Sequence, residues 1–69
     1  MEKIQISLKA ARVNKNLSQG DVAKMLNVTR QTIINWETGK IVPGIPEMEI
    51  LSKIYGIPQD NIFLPCYST

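Results

Sequence analysis

Apolar residues recur at helical rather than alternating spacing along almost the whole chain, and turn residues cut that pattern into five pieces. The first piece runs from about Ile4 to Asn14, where Ile4, Leu8 and Ala11 stand at i, i+4 and i+7 on one face. Asn16-Leu17 interrupts it. Ser18 then reads as the N-cap of a second helix, with Asp21 placed to suit both the open amides and the positive end of the helix dipole. Val22, Met25 and Leu26 form its predicted buried face, and Ala23 is small enough to admit a neighbouring helix closely. After a very short Asn27-Val28 connection, Thr29 opens a third helix from Arg30 to Glu37 or Thr38, with Ile33 and Trp36 facing inward. Gly39 is the expected left-handed residue at its end, and Lys40 sits near the negative end of the dipole.

A loop at Ile41-Val42-Pro43-Gly44 follows, and Pro46 suits the first turn of a fourth helix because its missing N–H costs nothing there. Met48, Leu51 and Tyr55 give that helix its core stripe, and Gly56 stops it. Ile50 and Ile54 form a second stripe, more apolar surface than one core requires. A short fifth helix is predicted from about Pro58 to Phe63, with Ile57, Ile62 and Phe63 as apolar residues. No segment alternates as a strand would. The expected fold is all-α, a five-helix domain over residues 1–63, with 64–69 as a flexible C-terminal tail.

Composition narrows the class. A chain of 69 residues with 43% hydrophobic and 20% charged side chains corresponds to one small globular domain. Its single cysteine, Cys66, allows no internal disulfide and reads as an unimportant thiol in a reducing cytosol. No run approaches the roughly 18 apolar residues of a membrane span, and the first residues lack a secretory apolar stretch. A cytoplasmic location, with no membrane partner, is the expectation.

Enzyme chemistry is not expected. The chain has no histidine, and Cys66 has no second cysteine to form a metal-ligand couple. Glu47 and Glu49, two apart on a helix, diverge and cannot act as paired carboxylates. A glycine-rich phosphate loop is also missing, so neither cofactor nor metal is expected.

Charge is distributed unevenly. Residues 1–40 carry seven Lys or Arg against three Asp or Glu, a net +4, while residues 41–69 carry one against three, a net −2. A basic first part suggests an anionic partner for one face. The outer side of the third helix carries Arg30, Gln31, Ile34, Asn35 and Thr38, whereas a plainly solvated helix favours Glu and Lys. Two helices joined by a tight turn make a helix-turn-helix candidate, with the second projecting its polar side into a groove one helix wide. The major groove of B-DNA has that width, and amides such as Gln31 and Asn35 can pair with adenine through a donor and an acceptor at once.

Residues Leu17-Ser18-Gln19, Val22-Ala23, Leu26 to Ile33, Trp36-Glu37 and Gly39-Lys40 resemble the phage Cro/repressor-type helix-turn-helix family, the xenobiotic-response-element group. That family's pattern runs approximately L-S-Q-x-x-L-A-x-x-L-G-V-S-x-x-T-I-x-x-W-E-x-G-K. The likeness continues without a gap through Pro43, Gly56 and Ile62-Phe63, covering nearly all of residues 4–63. It implies a five-helix, lambda-repressor-like DNA-binding domain.

By that resemblance, Gln19 matches a residue that reaches phosphate or an outer base edge, and Thr29, Arg30, Gln31 and Asn35 match positions facing bases or phosphates. Thr38 and Lys40 match backbone-contacting positions, and Arg12 with Glu37 matches a pair that forms an interior salt bridge in several relatives. Arg30 is read as a phosphate contact rather than a guanine reader, since phosphate contacts outnumber base contacts. Ile34, usually polar in the family, is either a tolerated exposed residue or a partner for a thymine methyl group. Val22 replaces the usual Leu, and Asn27 replaces the usual turn Gly, a change its tolerance of left-handed backbone accommodates. Gly44 stands where some relatives carry a basic loop residue, which argues against a minor-groove contact there.

The implied function is a transcriptional regulator, a repressor acting as a homodimer on double-stranded DNA with a pseudo-palindromic operator. The alternative is an antitoxin-like DNA-binding protein that also holds a protein partner through Ile50 and Ile54.

Overall fold

A computed structural model describes residues 5–63. Four helices make up most of it: α1 (Leu8–Asn14), α2 (Gln19–Leu26), α3 (Arg30–Thr38) and α4 (Ile45–Tyr55). Ile4, Cys66 and the 64–69 tail lie outside the described residues.

Each of the first three helices begins on a hydroxyl cap. Ser7, Ser18 and Thr29 accept hydrogen bonds from the backbone N–H groups of Ala10, Asp21 and Thr32, which satisfies one open amide in each first turn. Ser7 therefore starts α1 at Leu8, four residues later than the sequence pattern suggested. Left-handed residues end the helices that follow: Asn27 (φ 58°), Gly39 (φ 83°) and Gly56 (φ 69°). Asn27 thus holds the turn geometry for which glycine is the default, as its short polar side chain permits.

The first and last described residues depart from the expected all-helical reading. Residues 58–63 do not form a fifth α-helix. Gln59–Asn61 makes one 3₁₀ turn, closed by the Asn61 N–H donating to the Pro58 carbonyl at 2.9 Å. Ile62 is then extended, and Ile62–Phe63 (β2) pairs in parallel with Ile6–Ser7 (β1), Ile6 opposite Ile62 and Ser7 opposite Phe63. A β-branched residue such as Ile62 suits extended backbone. The pairing fastens residues 6–7 to residues 62–63 and gives their backbone groups partners that a lone turn would leave open.

The core lies where α1, α2, α3 and α4 meet. Leu8 and Ala11 of α1, Val22 and Ala23 of α2, and Ile33 and Trp36 of α3 are buried against Met48, Leu51 and Tyr55 of α4, with Ile62 closing one side. Met25, expected inside, is 56% exposed. At about 100° per residue, Val22, Leu26 and Ala23 span the buried arc of α2, and Met25 falls about 60° outside it. On α4, Ile54 packs against the core while Ile50 stays exposed, so the apolar surface expected to face a partner shrinks to Ile50. No helix among the described residues is long and apolar enough to cross a membrane.

Candidate nucleic-acid interface

α2 and α3 form the helix-turn-helix, and their starts are fixed locally. The Ser18 hydroxyl accepts from the Asp21 N–H while the Asp21 carboxylate accepts from the Ser18 N–H, both at 2.9 Å, a reciprocal capping box. These bonds hold the Asp21 carboxyl below its usual range, chiefly through the Ser18 backbone N–H. Asn27 turns the chain, and the Val28 N–H donates to the Ala23 carbonyl at 2.9 Å, satisfying an open carbonyl at the end of α2.

Behind α3 lies one hydrogen-bonded charge cluster. Arg12 Nε donates to Glu37 Oε2 at 2.7 Å and its Nη2 to Glu37 Oε1 at 3.2 Å, a bidentate pair between α1 and α3. The two side chains are 9% and 4% exposed. Arg12 Nη1 also donates to the Leu17 carbonyl at 2.9 Å, which ties down the α1–α2 connection. The hydrogen bond that Arg12 donates to Glu37 raises the Arg12 pKa above its ordinary value, against the opposing effect of burial. Tyr55 lies close enough to feel both charges. Burial, with a contribution from Glu37, pushes its hydroxyl pKa up to about 12, while Arg12 acts in the opposite sense.

Gln19 joins this cluster, since its Nε2 donates to Glu37 Oε1 at 3.2 Å. The family pattern marks Gln19 only as a surface contact. Its link to a residue eighteen positions away depends on α2 and α3 being packed together, and no local spacing signals it.

The outer side of α3 is the opposite of its anchored side. Arg30, Gln31, Thr38 and, just past the helix, Lys40 are exposed, while Ile34 and Asn35 are half-buried. Gln31 Nε2 donates to Asn35 Oδ1 at 3.1 Å, so the two amides meet one turn apart. Thr29 accepts from the Thr32 N–H and shares a 2.9 Å hydrogen bond with the Thr32 hydroxyl, which commits its oxygen to the cap. Thr38 donates its hydroxyl proton to the Ile34 carbonyl at 2.9 Å. Any donation from Thr38 to a phosphate therefore requires that hydroxyl to turn.

The structure thus brings Thr29, Arg30, Gln31, Ile34, Asn35 and Thr38 onto α3 and its cap, with Lys40 beyond its end and Gln19 joined to it through Glu37. Among the described residues no group of three or more Asp, Glu, Cys or His side chains converges as a metal site. The surface on offer is an open helix face.

This geometry agrees with the comparisons to known proteins. Residues 8–59 match the family described as helix-turn-helix. The chain is 42% identical over 57 residues to an uncharacterized HTH-type transcriptional regulator of Methanocaldococcus jannaschii, covering 83% of this chain and 86% of that one. It is 34% identical over 55 residues to the HTH-type transcriptional activator BcrR of Enterococcus faecalis, covering 80% of this chain and 27% of that protein. With the cryptic phage CTXphi transcriptional repressor RstR of Vibrio cholerae it shares 36% identity over 47 residues, 68% of this chain and 42% of the repressor. The chain therefore spans less than half the length of the activator and of the repressor. No solved structure matches at comparable significance.

Proposed function

This chain belongs to the helix-turn-helix family, and from that premise we propose how it acts as a DNA-binding regulator of transcription: α3 enters the major groove and its outer side reads the sequence. The observation that carries this reading is the two-sidedness of α3. Arg30 and Gln31 stand in solvent, with Asn35 beside them, on a helix held from behind by Ile33, Trp36 and the Glu37–Arg12 pair.

The roles divide by chemistry. Gln31 and Asn35 pair with base edges, and Ile34 between them meets a thymine methyl group. Arg30 and Lys40 neutralise phosphates, which supplies most of the binding free energy, while Gln19, Thr29 and Thr38 hold the sugar-phosphate backbone at the edges of the site.

One reading helix of nine residues covers too few base pairs for tight specific binding. The active form is therefore a homodimer whose two α3 helices lie about 34–36 Å apart, one turn of duplex, on a pseudo-palindromic operator. Ile50, exposed on α4, favours an apolar share in that contact. Repression follows simply, because a dimer seated on promoter DNA excludes polymerase.

Selection of bound fragments from random duplex DNA tests the reading. An enriched motif with two-fold symmetry is expected, bound with an affinity that falls steeply as salt rises. Failure to enrich any motif, or an affinity indifferent to salt, would refute it.

A further inference from the structure

An isolated carboxamide reads DNA ambiguously. Rotated by half a turn about its last bond, it exchanges its oxygen for its nitrogen at little internal cost, and so offers either an acceptor or a donor at the same place. The two amides on α3 are not isolated. Gln31 Nε2 donates to Asn35 Oδ1 at 3.1 Å, and that bond couples the two amides, since turning one over requires turning the other. Were Asn35 alone turned over, two N–H groups would face each other.

The position of Asn35 is itself firm. Its backbone carbonyl accepts from the N–H groups of Lys40 at 2.9 Å and Ile41 at 3.2 Å, where α3 ends at the left-handed Gly39. Gln31 lies in the first turn of α3, one residue after Arg30 and one helical turn before Asn35. The orders in which the two amides display their groups along the helix are thus linked. From the Gln31 end the observed order runs Gln31 Oε1 as acceptor, Gln31 Nε2–H donating into Asn35 Oδ1, then Asn35 Nδ2 as donor.

We propose that Gln31 and Asn35 act as one hydrogen-bonded reading unit, in which Gln31 sets the amide orientation of Asn35 and thereby the base pair that Asn35 prefers. Asn35 keeps one open lone pair on Oδ1 and both N–H groups, enough for a bidentate contact with adenine. Its oxygen lies toward the Gln31 side of the groove and its nitrogen toward the Lys40 side. An adenine presented with its N6 amino group toward Gln31 satisfies this order, and the reversed base pair does not. Gln31 is thus a positioning residue for a base pair it does not itself contact, in addition to reading its own. The proposal rests on α3 being the helix that enters the groove.

Gln31→Glu separates this idea from simple one-residue reading. The new side chain has the same shape but no N–H to give, so Asn35 must turn its Nδ2 toward the carboxylate and its Oδ1 away. A carboxylate in the first turn of a helix also suits the dipole, so the variant folds. Motifs are selected from random duplex DNA with the wild-type chain, Asn35→Ala, Gln31→Ala and Gln31→Glu, each checked by thermal melting. Asn35→Ala identifies the base pair read by Asn35 as the one whose preference it relaxes.

The expected result is that Gln31→Glu changes the preferred base at that same position, with roughly a tenfold loss of discrimination for the original base. Gln31→Ala should relax preference there as well as at its own position. If Gln31→Glu alters only the position relaxed by Gln31→Ala beyond the one found with Asn35→Ala, the unit does not exist. If Asn35→Ala leaves every preference unchanged while the wild type selects a motif, Asn35 reads nothing and the proposal falls alone. A wild-type chain that selects no motif overturns the DNA-reading assignment and this proposal together.

Discussion

The two sides of α3 share one backbone and differ in almost everything else. Inside, Ile33 and Trp36 are 1% and 6% exposed, and Glu37 is held by Arg12 and Gln19. Outside, Gln31 hydrogen-bonds to Asn35 and Thr38 to the Ile34 carbonyl, both within the helix itself. The inner side joins three helices and tolerates no change without a structural cost. On the outer side Arg30, Gln31 and Thr38 are exposed, so these residues are free to be chosen by a partner rather than by the fold. A surface that reads another molecule needs both halves, because an exposed amide can specify a base only if the rod carrying it does not move.

The largest effect that would test this division is expected at Glu37. Replacing it with alanine leaves the Arg12 guanidinium buried without its carboxylate, a change that costs about 3–5 kcal/mol. Against a total stability of roughly 5 kcal/mol for so small a domain, Glu37→Ala should retain no more than about 2 kcal/mol and show a much lower midpoint in a urea titration near room temperature. A variant with an unchanged midpoint would mean that the inner side does not anchor α3 as described.

Lys40→Ala should do the reverse. Lys40 is exposed beyond the end of α3, and its removal should move stability by no more than about 0.5 kcal/mol. DNA affinity should fall by roughly 1.5–3 kcal/mol, to a similar extent for the selected motif and for random sequence. The slope of log affinity against log salt should drop by about 0.9 per lost phosphate contact. A fluorescence-anisotropy series over several salt concentrations measures both quantities. Loss confined to the selected motif would reassign Lys40 to base reading.

Between these lies the cap. Ser18→Ala removes the hydroxyl that accepts from the Asp21 N–H, and should cost about 1 kcal/mol of stability, read as a lower midpoint in the same urea titration. It should leave motif preference unchanged, since Ser18 acts on the scaffold and touches no base. A shifted preference would show that the α2 start helps set the docking angle.

How much of this was legible in the sequence follows from the range of each interaction. The helix-turn-helix itself is written locally. Ser18, Thr29, Asn27 and Gly39 act within four residues of their own positions, and the positions of Ile33 and Trp36 repeat at helical spacing. The outer side of α3 was readable for the same reason. Its side chains project from one helix, so spacing alone puts Gln31 and Asn35 together. The β1–β2 pair was not readable, because two residues are too few to show alternation and Ile6 and Ile62 are brought opposite each other only after four helices have packed. The link from Gln19 to Glu37 failed to appear for a like reason, as it needs α2 and α3 to be docked. Met25 marks the limit of periodicity, which finds the centre of a buried arc more surely than its edge.

The smallest expected effect is also the one with a defined direction in pH. The Asp21 carboxylate accepts from the Ser18 N–H, and chiefly for that reason its pKa in the folded chain lies below the ordinary 3.8. Between those two values the unfolded chain binds more protons than the folded one, so stability rises with pH across that window. The contribution is present in full well above the unfolded value and is lost as pH falls through the folded value. In Asp21→Asn the side-chain oxygen still accepts from Ser18, but no charge titrates there. Protonation of the remaining carboxylates is common to both proteins and cancels in their difference. Melting temperatures compared from neutral pH down through the acid range should therefore show wild type above Asp21→Asn near neutrality, with the gap closing as the pH drops below about 4. A gap that stays constant would mean that the carboxylate's charge adds nothing to the α2 cap, leaving the scaffold side of the comparison to rest on the Arg12–Glu37 pair and the apolar core.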